Sequence, residues 1–247
     1  MISGLYSAAT AMDVTEKRHE MVAENLANLQ MPGYRRRIVS QAGFDSFLNP
    51  PPQSTTDGVS SSKMLGATAA PVQYDFTQGN IQETGNKLDV ALSGDGFFTV
   101  QSPDGPRYTR NGAFHLDPQG TLVTVDGLPV LGTGGPIQIP GGVTTAQVEI
   151  TRDGSVFAGD LEIGQLALTQ FADNSKLTAV GASLFAASAD AVPTATAAEV
   201  LQGRLEMANT SAVTELINII AISRLRDAAQ KALNTIAEST QKRIGLT

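Results

Sequence analysis

The sequence predicts a mixed α and β fold in which N- and C-terminal helices pair as a coiled coil around an inserted all-β domain. Three observations carry this prediction. Apolar residues recur at steps of three and four at both ends of the chain. The middle changes to short runs, several of them alternating with period two, divided by turn-forming residues. Charge follows the same division. Residues 1–37 hold five basic and four acidic groups and residues 199–247 hold six and five, which leaves six against fifteen for the residues between.

At the N-terminus, Ile2, Leu5, Ala9, Met12, His19, Val22 and Leu26 form one stripe, with Glu16 as its charged member. Such a stripe belongs to an amphipathic helix. Pro32 biases Met31 away from helical angles, so the helix stops before it. Asn28 suits the helix end and Gly33 the positive φ just beyond. Residues 50–70, with three prolines followed by Ser, Thr and Gly, read as extended chain.

The central runs LDVAL, FFTVQ, RYT, AFHLD, TLVTV, LPVLG and IQIP are separated by SGDG, SPDGP, RNG, DPQG, DG and GTGG. Turns at this spacing indicate an all-β unit, which QVEIT, SVFAG and IGQLALTQF extend to about residue 171. Aromatic residues are 5% of the chain and Trp is absent, so its core is expected to be mainly aliphatic.

From Ala198 to Arg243 there is no Pro, and Gly203 is the only Gly. Val213, Leu216, Ile217, Ile220, Leu225, Ala228, Ala232, Leu233 and Ile236 keep helical spacing. About 40 residues of helix would reach roughly 60 Å, longer than the middle of the chain could cover. The expected division is 1–37 with 199–247 as a terminal helical unit, 38–75 as an extended linker, and 76–198 as a β-rich unit.

Several function classes are disfavoured. There is no cysteine, which removes disulfides and thiolate chemistry. His19 and His115 fall in different elements without a partnered nucleophile. Asp95, Asp104, Asp126 and Asp153 each precede Gly, which is hairpin chemistry rather than a catalytic carboxylate pair. No phosphate-binding, dinucleotide or calcium-loop motif occurs, so neither an enzyme nor a cofactor or metal site is expected. Asn209-Thr210-Ser211 matches a glycosylation sequon but falls in the predicted helix. Tyr34 with Arg35, Arg36 and Arg37 could meet nucleic acid, yet the chain carries a net charge of −7 and no second basic element lies nearby. These arginines are read as solvated, or as pairing with acids on a neighbouring subunit. The N-terminus lacks the basic and apolar regions of a cleaved signal. No stretch of about 18 apolar residues occurs, so direct membrane insertion is not expected.

Three stretches together resemble the flagellar rod and hook proteins of the bacterial basal body. NLANLQMPGYRRR resembles the signature NLAN-x-x-T-x-G-[FY]-[KR] at Asn25, Leu26, Ala27, Asn28, Gly33, Tyr34 and Arg35, with Pro32 where Thr is common. Residues 88–132 are similar to the family's central β segment. LQGRLEMANTSAVTELINII resembles the closing G-x-LE-x-SNV segment, with Ala208-Asn209-Thr210 in place of Ser-Asn-Val. Leu225-Arg226-Asp227 also departs from the pattern.

The resemblance implies a non-enzymatic subunit that assembles with rod subunits of the same and neighbouring types. It further implies passage through the flagellar export apparatus without signal cleavage, and a place in the periplasm-spanning rod. Length, GPIQIP and the QKRIGLT tail lean toward the proximal rod, with the distal rod as alternative. A self-contained β-domain binding protein is the more distant alternative. The expected subunit interface comprises Leu5, Met12, Val22, Leu26, Val213, Leu216, Ile217, Ile220, Leu225, Leu233 and Ile236. Asn25, Asn28, Pro32, Gly33, Tyr34 and Arg35 are the expected turn.

Overall fold

The computed structural model describes residues 2–39, 72–196 and 198–244. Most of the predicted linker, residues 40–71, therefore lies outside the described residues. Contacts divide the chain into a unit of residues 1–27, 37–74 and 211–247 and a second unit of residues 28–36 and 75–210.

The second unit is antiparallel β. Its largest sheet has six strands in the order Leu177–Ala179, Leu184–Ala187, Gly105–Thr109, Phe97–Ser102, Leu168–Phe171 and Pro193–Ala195. The central hairpin pairs Ser102 with Gly105, so Pro103 and Asp104 form the two-residue connection, with Gly105 flanking it. A three-stranded sheet follows from Val148–Ile150, Ser155–Ala158 and Leu161–Gln165. Smaller pairs join Phe114–Leu116 to Leu122–Thr124, Glu199–Gln202 to Val90–Ser93, and Arg204–Glu206 to Ile81–Glu83.

Two apolar layers hold this unit. One is aliphatic, built from Leu88, Val90, Leu92, Val100, Leu122, Val130, Val148, Val156 and Val200 with Phe98 and Phe114 edge-on at 5.2 Å. Val90, Ala91 and Leu92 have no exposed surface, so this strand is buried on both faces. The scarce aromatic residues gather in the other layer. Phe97 and Phe98 point to opposite faces of one strand, and Phe97 lies among Phe76, Phe171 and Phe185. Tyr108 meets Phe171 edge-on at 4.8 Å.

The first unit contains α1 (Ile2–Ala27), α2 (Ala212–Ile244) and the antiparallel pair Arg37–Val39 with Val72–Tyr74. Ser211 begins α2, its hydroxyl accepting from the Thr214 N–H at 3.2 Å. The helices touch each other. Among their described side chains, the buried ones are Thr15, Met21, Val22 and Asn25 on α1 and Glu215 on α2.

The predicted fold class requires correction. The chain is mostly β with two described helices, not an all-β domain inserted between helices paired as a coiled coil. Residues 28–36 belong to the β unit, and strand Arg37–Val39 belongs to the helical one. The C-terminal helix begins at Ala212, because residues 199–206 pair as strands with residues 81–93. Among the described side chains the buried positions are not purely apolar, since Thr15 and Asn25 on α1 and Glu215 on α2 are among them.

Gly112 is required by close approach. A Cβ built there would lie 1.7 Å from the Val90 carbonyl oxygen, whereas one at Gly134 would meet open space. Gly112→Ala should lower stability by about 1–3 kcal/mol through overpacking, and Gly134→Ala should change it by less than about 0.5 kcal/mol. Urea unfolding of the two variants checks this, and equal midpoints would refute it.

Candidate functional site

The three stretches singled out in the sequence converge on one buried carboxylate. Glu206 ends the strand Arg204–Glu206 with its side chain turned inward and no exposed surface. Its Oε1 accepts from Arg35 Nη2 at 2.8 Å and from the Gly79 backbone N–H at 2.8 Å. Its Oε2 accepts from Arg110 Nη1 at 3.1 Å. The side chains of Arg35 and Arg110 are 0% and 3% exposed.

The turn after α1 delivers Arg35. Asn28 accepts from the Met31 N–H at 3.0 Å, and Met31 accepts from the Tyr34 N–H at 3.3 Å, so the chain reverses around Pro32 and Gly33. Gly33 adopts a φ of 69°, and a Cβ there would lie 2.2 Å from the Asn111 nitrogen. Both conformation and space therefore demand glycine. The Gly33 N–H donates to the Glu206 carbonyl at 2.7 Å, and Tyr34 is buried beside Arg35 in sequence. Arg110 follows the strand Gly105–Thr109, and Thr109 Oγ1 accepts from the Asn111 N–H in the turn after it.

Two guanidiniums share one carboxylate, so backbone carbonyls disperse the remaining positive charge. Arg35 Nη1 donates to Thr77 O at 3.0 Å, and Arg110 Nη2 donates to Gly94 O at 2.7 Å. The Arg110 guanidinium also lies 5.5 Å from the Phe97 ring centre, a cation–π distance. Burial pushes the Arg110 guanidinium below its ordinary value; Glu206 opposes that shift and Arg35 adds to it. In a buried cluster, desolvation offsets much of the attraction, so its main effect is to fix which segments meet.

Asn209 adds a second clasp. Its Oδ1 accepts from the Arg36 N–H at 2.7 Å, while Nδ2 donates to Asp75 O at 2.7 Å and Thr77 O at 3.0 Å. The sequon amide is thus occupied by backbone, and it precedes α2 rather than lying within it.

In the helical unit, Asn25 is fully buried and exchanges two hydrogen bonds with the Arg37 backbone, at 3.0 and 2.9 Å. The Arg37 guanidinium pairs with Glu24, and its Nε donates to the Tyr74 hydroxyl at 3.2 Å. Arg35 and Arg37 thus pair with acids of their own chain.

The expected interface residues fall into three groups. Val213, Leu216, Ile217, Ile220 and Leu225 on α2 are 40–68% exposed. Met12, Leu26 and Leu233 are half-buried and Val22 is buried. Leu5 and Ile236 lie outside the described side chains. Inward-facing positions of α2 interleave with the exposed ones: Glu215 is buried, and Ile219, Ile222, Ala229 and Leu233 are half-buried. The open positions of α2 are thus apolar, while its covered positions combine the Glu215 carboxylate with half-buried aliphatic residues.

His19 and His115 are exposed. Asp153 stands in a turn where hydrogen bonds from the Thr151 and Ser155 hydroxyls hold its carboxyl below the usual range. An open groove of about 340 Å³ beside it is lined by one carboxylate and no aromatic residue. Among the described residues no cluster of His, Asp and Glu could hold a metal, and no helix is long and apolar enough to cross a membrane. Sequence reasoning missed Arg110, Glu206 and Asn209 as site residues although all three stood inside quoted motifs. A carboxylate set between two apolar residues, as in Leu205-Glu206-Met207, is the signal that could have found Glu206.

Residues 91–158 match the flagellar hook protein FlgE/F/G D1 domain, and residues 201–246 match the flagellar basal body rod FlgEFG protein C-terminal region. Flagellar basal-body rod protein FlgF of Caulobacter vibrioides is 32% identical over 99% of this chain and 97% of its own. Flagellar basal-body rod protein FlgG of Buchnera aphidicola from Acyrthosiphon pisum is 33% identical over 98% of each. FlgF of Escherichia coli K12 is 31% identical over 97% of this chain and 96% of its own. The class is that of a structural subunit of the flagellum. This chain belongs to the flagellar basal-body rod and hook protein family.

Removing the anion from the cluster should be costly, because two buried cations would lose their shared partner. Glu206→Gln, nearly equal in shape, should destabilise the protein by about 3–5 kcal/mol. Equilibrium urea unfolding measures this, and an unchanged midpoint would mean the cluster contributes nothing.

Proposed function

We propose that this chain is a proximal-rod subunit that self-assembles through its terminal helices and transmits torque across the periplasm. The observation that carries this reading is the open apolar face of α2 at Val213, Leu216, Ile217 and Ile220, each at least half exposed. A run of apolar side chains at helical spacing is a surface that another subunit can bury. Repeated head-to-tail burial of one face against a different one builds an open filament. Copies of the same chain and neighbouring rod subunits are the proposed partners, together with the flagellar export apparatus, which passes the chain without signal cleavage.

The chain performs no catalysis and takes no cofactor on this reading. It does not bind nucleic acid, since Arg35 and Arg37 are already paired with Glu206 and Glu24. It does not insert in a membrane. The distal rod is the second reading, kept beside the first because relatives named FlgF and relatives named FlgG match alike, at 32–33% identity.

Ile220→Asp separates assembly from folding. Ile220 is 54% exposed in the single chain, so a carboxylate there stays solvated until another subunit covers it. The purified variant should unfold within about 0.5 kcal/mol of wild type, while cells carrying it should lose rod incorporation and motility. Normal incorporation would remove Ile220 from the assembly surface.

A further inference from the structure

We infer that the β unit is closed by its own C-terminal segment, residues 199–209, and that it opens and forms as one cooperative body with that segment. The contacts that close this unit are internal to it and hold whatever position the chain takes in a rod.

The strand Val90–Ser93 lies at the heart of the aliphatic core, with Val90, Ala91 and Leu92 wholly buried. Its strand partner among the described residues is Glu199–Gln202, more than a hundred residues later in the chain. Val200 enters the same core, and its N–H donates to Arg152 O at 2.8 Å. Gln202 Nε2 donates to Lys87 O at 2.9 Å and Val148 O at 3.0 Å. The following strand, Arg204–Glu206, pairs with Ile81–Glu83. Four separate parts of the unit, residues 81–83, 87–93, 148–152 and the turn at 33–36, are therefore stitched to this one segment.

Glu206 makes the dependence steep. It lies 171 residues from Arg35 and 96 from Arg110 along the chain. Until it arrives, either the two guanidiniums stay in water and the core stays open, or they are buried without an anion, which is strongly unfavourable. Contacts at such separation form late, because closing long loops costs entropy before any contact is gained. A chain supplied N-terminus first does not complete this unit until residue 209 is present. The same closing event fixes the entry turn through Gly33 and Arg36, so both ends of the unit become ordered together.

Native-state hydrogen exchange of the full-length protein in increasing sub-denaturing urea tests this. Amides of Val90–Ser93, Phe97–Ser102 and Gly105–Thr109 should exchange through the same opening as those of Glu199–Gln202 and Arg204–Glu206, merging onto one urea dependence. Loss of protection in residues 199–206 at lower urea, with the central hairpin still protected, would overturn the inference. Val200→Ala provides a second, independent reading. It should speed exchange of all five strands by one common factor of about tenfold or more. Acceleration confined to residues 199–206 would again overturn the inference.

Discussion

A guanidinium buried without an anion is strongly unfavourable, and among the described residues this chain buries two guanidiniums around one carboxylate. Arg35 and Arg110 reach the interior from different parts of the sequence and share the carboxylate of Glu206. That single requirement explains much of the β unit. The turn at Pro32 and Gly33 must reverse tightly to deliver Arg35, the turn after Thr109 must present Arg110, and the strand Arg204–Glu206 must lie in a register that turns its last residue inward. The Gly79 N–H gives the carboxylate its third donor, and the carbonyls of Thr77 and Gly94 disperse the surplus positive charge, while Nε of each arginine is buried without a partner. Two arginines of the opening motif are thus paired with acids of their own chain. One is buried in the β unit, and another, Arg37, is committed to Glu24 and Tyr74 in the helical one.

The helical unit follows the opposite rule. Several of its buried positions are polar, including Thr15, Asn25 and Glu215, while large aliphatic side chains of α2 face outward. Glu215 in the first turn of α2 is also suited by the positive end of the helix dipole. A single-chain domain normally places Ile and Leu inside. Here large aliphatic side chains of α2 stay at the surface instead, which on the proposed reading is what a subunit of a linear assembly offers its neighbours.

Local patterns were readable where local physics decides. Both helices, the stop before Pro32, and the central hairpins with their Asp, Gly and Pro turns follow from spacing and turn chemistry. The scarcity of aromatic residues foretold an aliphatic core, though not that Phe76, Phe97, Phe171 and Phe185 would gather on the second face of the large sheet. Residues 199–206 looked helical because they lack Pro and sit beside a long helix. Pairing with residues 81–93 makes them strands, and no window of sequence contains that partner. The N-terminal stripe was drawn through apolar residues, whereas burial also selects Thr15 and Asn25, because a polar group with a bonded partner can be interior. The charge cluster escaped for the same reason: Arg35, Arg110 and Glu206 are ordinary surface residue types until the fold brings them together.

The most direct test of this account is a double-mutant cycle on the cluster, with Arg35→Met and Glu206→Gln made singly and together and unfolding followed in urea. If Glu206 holds Arg35 in the interior, the two changes are strongly coupled, with an interaction energy of about 2–3 kcal/mol. Additivity to within about 0.5 kcal/mol would show that the two residues stabilise the fold independently, and that the shared carboxylate is not what joins its segments.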